Sequence, residues 1–153
     1  MAAAVAVLAV LPTTRLAPAA AVVRTAAVVA AAVLPAARLA PAAAVVRARA
    51  VVGEAAIVAE FNQIRQQVLS RHRDQAALQQ EVVAMRDKMR AHLLRGTAEQ
   101  YDLKQGAGGM TDIEFMAQYL VLAHAEAHPD TMTRWSDNVR IFDTCAAEEI
   151  GRA

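Results

Sequence analysis

The first 53 residues of this 153-residue chain contain no Asp, Glu, Ser, Asn, Gln or aromatic residue. Ala or Val fills 34 of those 53 positions, so little beyond Leu and Val is available there to bury. Cysteine occurs once, at Cys145, which excludes an internal disulfide and with it a stapled secreted scaffold. A charge of one sign is also missing. The 16 basic and 15 acidic side chains leave a net charge of +1, giving no case for a nucleic-acid-binding arm or an acidic tail. Long apolar runs are absent too. The uncharged stretches 2–14, 16–23, 25–37 and 39–46 all fall short of the roughly 20 residues of a spanning helix, so no membrane partner is expected. No Lys or Arg precedes the apolar run 2–11, as a signal peptide requires, and the leader lacks the serines of an organelle transit peptide.

What the leader does contain is a repeat. Residues 11–33 and 34–56 agree at 16 of 23 positions. Two units without a patterned apolar face do not make a solenoid, which needs at least three. Residues 1–46 therefore read as a low-complexity Ala/Val tract, of the kind that translation of repetitive GC-rich DNA or a shifted reading frame produces, and carry no confident fold. The length allows one domain, and residues 47–153 form the informative part.

From Glu54 onward the pattern is helical. Ile57, Phe61, Ile64 and Val68 form one apolar stripe, with Arg65 outside it. Leu78, Val82, Met85, Met89 and Leu93 form a second, with Gly96 placed as a C-terminal stop. Two such helices suit an antiparallel pair. Arg86, Lys88 and Arg90 read as a solvated face. Tyr101 to Lys104 reads as extended, followed by Gly106, Gly108 and Gly109. Thr111 and Glu114 have capping-box spacing and predict the start of a third helix, with Asp112 favoured by the helix dipole; Pro129 marks its end. A fourth helix is expected from Asp137 to about Ile150, with Ser136 as N-cap and Val139, Phe142 and Cys145 or Ala146 inward. The expected fold is all-α, a partial bundle of about four helices. The stop soon after Gly151 leads to the expectation of a truncated parent with exposed apolar faces, poor solubility and self-association.

Candidate sites each carry a structural alternative. The Gly106–Gly109 loop could present backbone N–H groups to a phosphate, or serve as a flexible connector ending in a cap. Neither a Walker loop nor the dinucleotide fingerprint is completed, since Thr111 stands at the third glycine position. Asp112 and Glu114 have the spacing of a strand-borne Asp-x-Asp metal pair, but on a helix they diverge by about 200°, which favours capping. His124 and His128 lack the zinc-protease order and a third ligand, so no metal site is expected. Cys145 reads as a small core residue. Trp135 reads as a packing anchor beside a helix start. Arg134 and Arg140 have a structural option, pairing Asp137 or Asp143, and a ligand option.

The runs Arg86–Leu93, Tyr101–Lys104, Gly108–Phe115, Gln118–Leu122 and Thr133–Ile141 follow one another in an order that closely resembles the bacterial bifunctional glutamine synthetase adenylyltransferase/adenylyl-removing family. The resemblance covers about residues 47–150 and points to the helical domain that follows the C-terminal, adenylylating nucleotidyltransferase core. It implies an enzyme that uses ATP and magnesium to move AMP to a tyrosine of glutamine synthetase and removes it by phosphorolysis, with the PII signalling protein as regulator and a cytoplasmic location. It also implies that Lys104, Gly108, Gly109, Asp112 and Glu114 lie nearest the nucleotide, and that Arg134, Trp135 and Asn138 are structural or ligand-facing.

The departures matter equally. The family core needs a Gly-Ser turn and an Asp-x-Asp pair; neither occurs here, and the only serines are Ser70 and Ser136. The chain alone is therefore expected to lack transferase activity and to bind no cofactor of its own. The alternative expectation is a non-catalytic helical module that binds glutamine synthetase, PII protein or a separate catalytic chain.

Overall fold

The computed structural model describes residues 39–51, 53–94 and 100–151. The repeat up to residue 38 and the helix stop expected at Gly96 lie outside the described residues. Among the described residues there are six helices and no strand: α1 Leu39–Arg47, α2 Ala55–Leu69, α3 Gln75–Leu93, α4 Met110–His124, α5 Pro129–Met132 and α6 Asn138–Ala147. The fold is all-α.

Helix α4 occupies the centre and packs against α1, α3, α5 and α6. Its inward face carries Ala117, Val121 and Leu122, which join Leu69, Leu78, Met132, Ile141 and Cys145 in one core. Ala117 is the small residue in this row, and small residues let neighbouring helices approach closely. The partners of α3 are α4 and α1, so the antiparallel pairing expected between α2 and α3 is not formed. Helix α1 takes that place beside α2. It runs across the division expected between residues 46 and 47, with Ala42, Ala43 and Val46 buried. Pro41 falls in its first turn, where a missing N–H costs no intrahelical bond.

Several helix ends differ from expectation for local reasons. Asp74 caps α3 by accepting from the Ala77 N–H at 2.7 Å. Arg73 donates to the carbonyls of Leu69 at 2.7 Å and Val68 at 2.9 Å, satisfying acceptors at the end of α2. Asp137 caps α6, at 3.1 Å from the Arg140 N–H, in place of Ser136. The inner face of α6 is Ile141 and Cys145, with Phe142 packed against the core as expected, whereas Val139 is 70% exposed. Pro129 does not end α4, which stops at His124, but opens the short α5.

One side chain ties distant segments together. Arg65 is only 7% exposed. Its Nε donates to the Val45 carbonyl at 3.2 Å, and one terminal nitrogen donates to Val46 at 2.7 Å and Trp135 at 2.9 Å. The other terminal nitrogen donates to the Thr133 carbonyl. Val45 and Val46 lie in the last turn of α1, and Thr133 caps the end of α5. The cation thus sits where helix C-termini concentrate unpaired carbonyls and negative dipole charge. Burial lowers the Arg65 pKa from its ordinary value, but a guanidinium remains charged throughout the physiological range.

Substituting Arg65→Met leaves these carbonyls without their donor and is expected to cost about 3 kcal/mol. Arg65→Lys, which keeps the charge and loses the planar fork, is expected to cost roughly half as much. Urea unfolding followed by circular dichroism checks both values, and equal stability of all three proteins would refute the assignment.

Candidate functional site

The loop before α4 is a compact turn, not the extended segment expected from Tyr101 to Lys104. The Asp102 carboxylate accepts the N–H groups of Lys104 and Gln105, each at 2.9 Å, and its carbonyl accepts from Gly106 at 2.7 Å. Such local closure by an aspartate competes with extended structure. The Tyr101 hydroxyl donates to the Ala107 carbonyl. The chain then folds back on itself: Met110 N–H donates to Leu103 at 3.0 Å and Thr111 N–H to Lys104 at 3.1 Å.

This arrangement decides how the helix is capped. Gly109, not Thr111, is the N-cap of α4. Thr111 is buried within the first turn. Glu114 reaches away to Arg47 on α1, at 3.1 Å, so the expected capping box does not form. The N–H groups of Asp112 and Ile113 go to the Gly109 carbonyl at 3.0 and 3.4 Å, and Gly109 N–H goes to Gly106 at 3.0 Å. Gly108 has φ +76°, a conformation that favours glycine, and donates its N–H to the Asp112 carboxylate at 2.6 Å. A side chain at Gly109 would lie 2.6 Å from the Leu103 carbonyl oxygen, which excludes any Cβ there without a backbone shift. The loop thus spends its N–H groups on itself, unlike a phosphate cradle, which leaves them pointing outward.

Asp112 is the hinge of the arrangement. Arg86 Nε on α3 donates to it, and Arg90 approaches both its oxygens at 3.3 and 3.2 Å. Arg86 is 6% exposed and continues into the loop, donating to the Gln105 carbonyl at 2.8 Å and its side-chain oxygen at 3.3 Å. Burial opposes ionisation of Asp112. The hydrogen bonds from Arg86 and the Gly108 N–H, with the charges of Arg86 and Arg90, outweigh it and hold the carboxyl below the usual aspartate range. Arg86 and Arg90 therefore do not form the solvated face expected of them. Their signal was visible in the spacing, since Arg86 lies four residues after Val82 of the apolar stripe; what could not be seen was its partner 26 residues away.

Of the five residues expected nearest a nucleotide, the structure joins Gly108, Gly109 and Asp112 in one network. Lys104 enters it only through its backbone, and the residue is exposed. Glu114 belongs to a separate ion pair with Arg47. Arg134 and Trp135 lie in the turn into α6, and Asn138 is the first residue of that helix. There the guanidinium carbons of Arg134 and Arg140 stand 4.8 and 4.5 Å from the centre of the Trp135 ring.

Chemically, Asp112 is neutralised by two arginines. Among the described residues no three His, Cys, Asp or Glu side chains come together to hold a metal ion. Cys145 is buried, and burial raises its thiol pKa above the ordinary value, the opposite of nucleophile activation. His124 has its pKa lowered, by burial and then by the neighbouring His128. Beside the Asp112 network, a groove of about 410 Å³ between α3 and α4 is lined by Val82, Val83, Phe115, Met116 and Tyr119. Val83, Ile113 and Met116 are exposed. No helix of the described residues is long and apolar enough to cross a membrane.

Comparison with known proteins places this geometry in a family context. The family model described as GlnD PII-uridylyltransferase matches residues 76–152, half of the chain. The chain is 57% identical over 96 residues to the bifunctional glutamine synthetase adenylyltransferase/adenylyl-removing enzyme of Pasteurella multocida (strain Pm70), covering 63% of this chain and 10% of that protein. It is 56% identical over 89 residues to the enzyme of the same name from Psychromonas ingrahamii (strain DSM 17664 / CCUG 51855 / 37), covering 58% and 9%. The chain thus spans about a tenth of the length of the curated relatives it matches.

Asp112→Asn keeps the shape of the side chain and removes its charge. At neutral pH it is expected to cost about 2 kcal/mol, the value of charge-assisted hydrogen bonds. The folded pKa of Asp112 is depressed, so its stabilisation is fully present above the unfolded aspartate value near pH 4 and is lost as pH falls through the folded value. The stability gap between the natural chain and Asp112→Asn should be constant from pH 7 to 5 and shrink below about pH 4. Urea midpoints measured across that range test this; a gap that does not change with acidification rules it out.

Proposed function

We propose, from the premise that the chain belongs to the GlnD PII-uridylyltransferase family, that it is a helical piece of a glutamine synthetase adenylyltransferase/adenylyl-removing enzyme. The observation that carries this reading is the 57% identity over 96 residues with a relative of that name. The intact enzyme in this reading transfers AMP from ATP, with magnesium, to glutamine synthetase and removes it again, in the cytoplasm and under the control of PII protein. Residues 47–153 supply a helical unit of that enzyme, to which α1 adds its buried face.

The described residues of this chain do not fit magnesium. Asp112 is committed to Arg86, Arg90 and the Gly108 N–H, and Glu114 to Arg47. The self-capped loop likewise offers no cradle of N–H groups to a triphosphate. We therefore assign metal binding and catalysis to a nucleotidyltransferase core outside this chain. Lys104, Gly108, Gly109, Asp112 and Glu114 are placed beside that core as supports: Asp112, Gly108 and Gly109 shape the loop, Lys104 presents an exposed cation from it, and Glu114 ties α4 to α1. Arg134, Trp135 and Asn138 hold the turn into α6. A second reading, a helical interaction module, is favoured by the exposed Val83 and Met116, which line the α3–α4 groove.

Grafting tests the proposal. The 96 matched residues of this chain, put in place of their counterparts in the Pasteurella enzyme, are expected to leave ATP-dependent labelling of glutamine synthetase intact, while this chain alone produces none. A folded, soluble graft without labelling activity would overturn the adenylyltransferase reading. Labelling by this chain alone would overturn the assignment of catalysis elsewhere.

A further inference from the structure

We infer that Arg134 and Arg140, set on the ring of Trp135, form a binding site for a phosphate group. The site lies apart from the Asp112 network, and the inference does not depend on the family reading. Two guanidiniums share one indole, at 4.8 and 4.5 Å from its centre. Each gains from the electron-rich ring face, but like charges gathered on one platform oppose one another. Among the described residues Arg140 pairs with one carboxylate, Asp137, at 3.7 Å from its Nε, and both are more than half exposed. That contact is too long and too wet to neutralise the pair. Arg134 is exposed, and none of the ion pairs among the described residues includes it. Three charges at this point therefore leave one net positive charge, with most guanidinium donors open to solvent.

The platform is fixed in place. Arg65 holds the carbonyls of Thr133 and Trp135, the two neighbours of Arg134. The indole packs against the core, and Asp137 holds the Arg140 N–H at 3.1 Å. A site whose backbone is already anchored loses little entropy on binding. Two planar forks also discriminate between anions. A carboxylate has two oxygens and satisfies one fork bidentately. A phosphate has enough oxygens to accept from both, and its second negative charge meets the second cation.

Trp135 is the only tryptophan of the chain, so its fluorescence reports this site alone. Inorganic phosphate is titrated into the full chain at pH 8, with ionic strength held constant by potassium chloride. A saturable change in emission is expected. Binding should be about tenfold weaker in Arg134→Gln and in Arg140→Gln, the loss of one charge-assisted contact. Arg134→Lys, which keeps the charge without the fork, should also bind more weakly. Circular dichroism confirms that the variants are folded. AMP and adenosine separate the source of the phosphate: AMP binding like free phosphate, or more tightly, supports the site. An effect from adenosine equal to that of AMP, with none from phosphate, overturns it. So does a response matched by chloride or unchanged in both glutamine variants.

Discussion

The packing of this chain depends on one buried cation holding the ends of two helices. Arg65 draws carbonyls from the last turn of α1 and from the segment that follows α5. Those segments are 19 to 70 residues from it in sequence. Their carbonyls are helix-end acceptors or turn acceptors, which would otherwise be buried without donors. A neutral amide donor could satisfy one or two of them. A guanidinium satisfies all four with one planar group whose charge is favoured by the dipoles around it. The position of α1, the path of the chain into α6 and the orientation of Trp135 all follow from this contact.

A second arginine repeats the principle at the other end of the molecule's motifs. Arg86 bridges α3 to the loop before α4, binding the Gln105 backbone and the Asp112 carboxylate together. Because Asp112 also takes the Gly108 N–H, the helix start, the loop and α3 share one polar network. Such a network is most rigid when every donor is used; here the buried Nε of Arg90 has no hydrogen-bond partner among the described residues. The glycines then serve close approach and a positive φ within a closed turn. A loop that resembles an anion cradle in its composition becomes instead the wedge that sets α3 against α4.

These two locks leave the functional surfaces in distinct places. The α3–α4 groove and the exposed Val83, Ile113 and Met116 offer an apolar face to a neighbour. The turn into α6 offers two arginines on an indole. The two carboxylates that line the groove, Asp87 and Asp112, are both paired with arginines. Both surfaces are built on rigidly held backbone, one by Arg86 and the other by Arg65.

Local patterning sufficed for four of the six helices among the described residues and for the family. Apolar spacing of three and four placed α2, α3, α4 and α6, and the ordered motifs from Arg86 to Ile141 pointed to the relatives later matched. Periodicity is a local property, so it is legible without a structure. Only tertiary structure decided which polar residues are buried. Arg65 and Arg86 each lie four residues after an apolar stripe residue, yet their partners come from 19 to 70 and from 19 to 26 residues away. The same holds for Thr111 and Glu114, where the returning Leu103 and Lys104 carbonyls took the helix-start donors before a capping box could. It holds for α1, whose Ala/Val composition carries no signal until a neighbouring arginine binds its last carbonyls. A hydrogen bond between distant segments is fixed by how helices pack, and no local pattern encodes it.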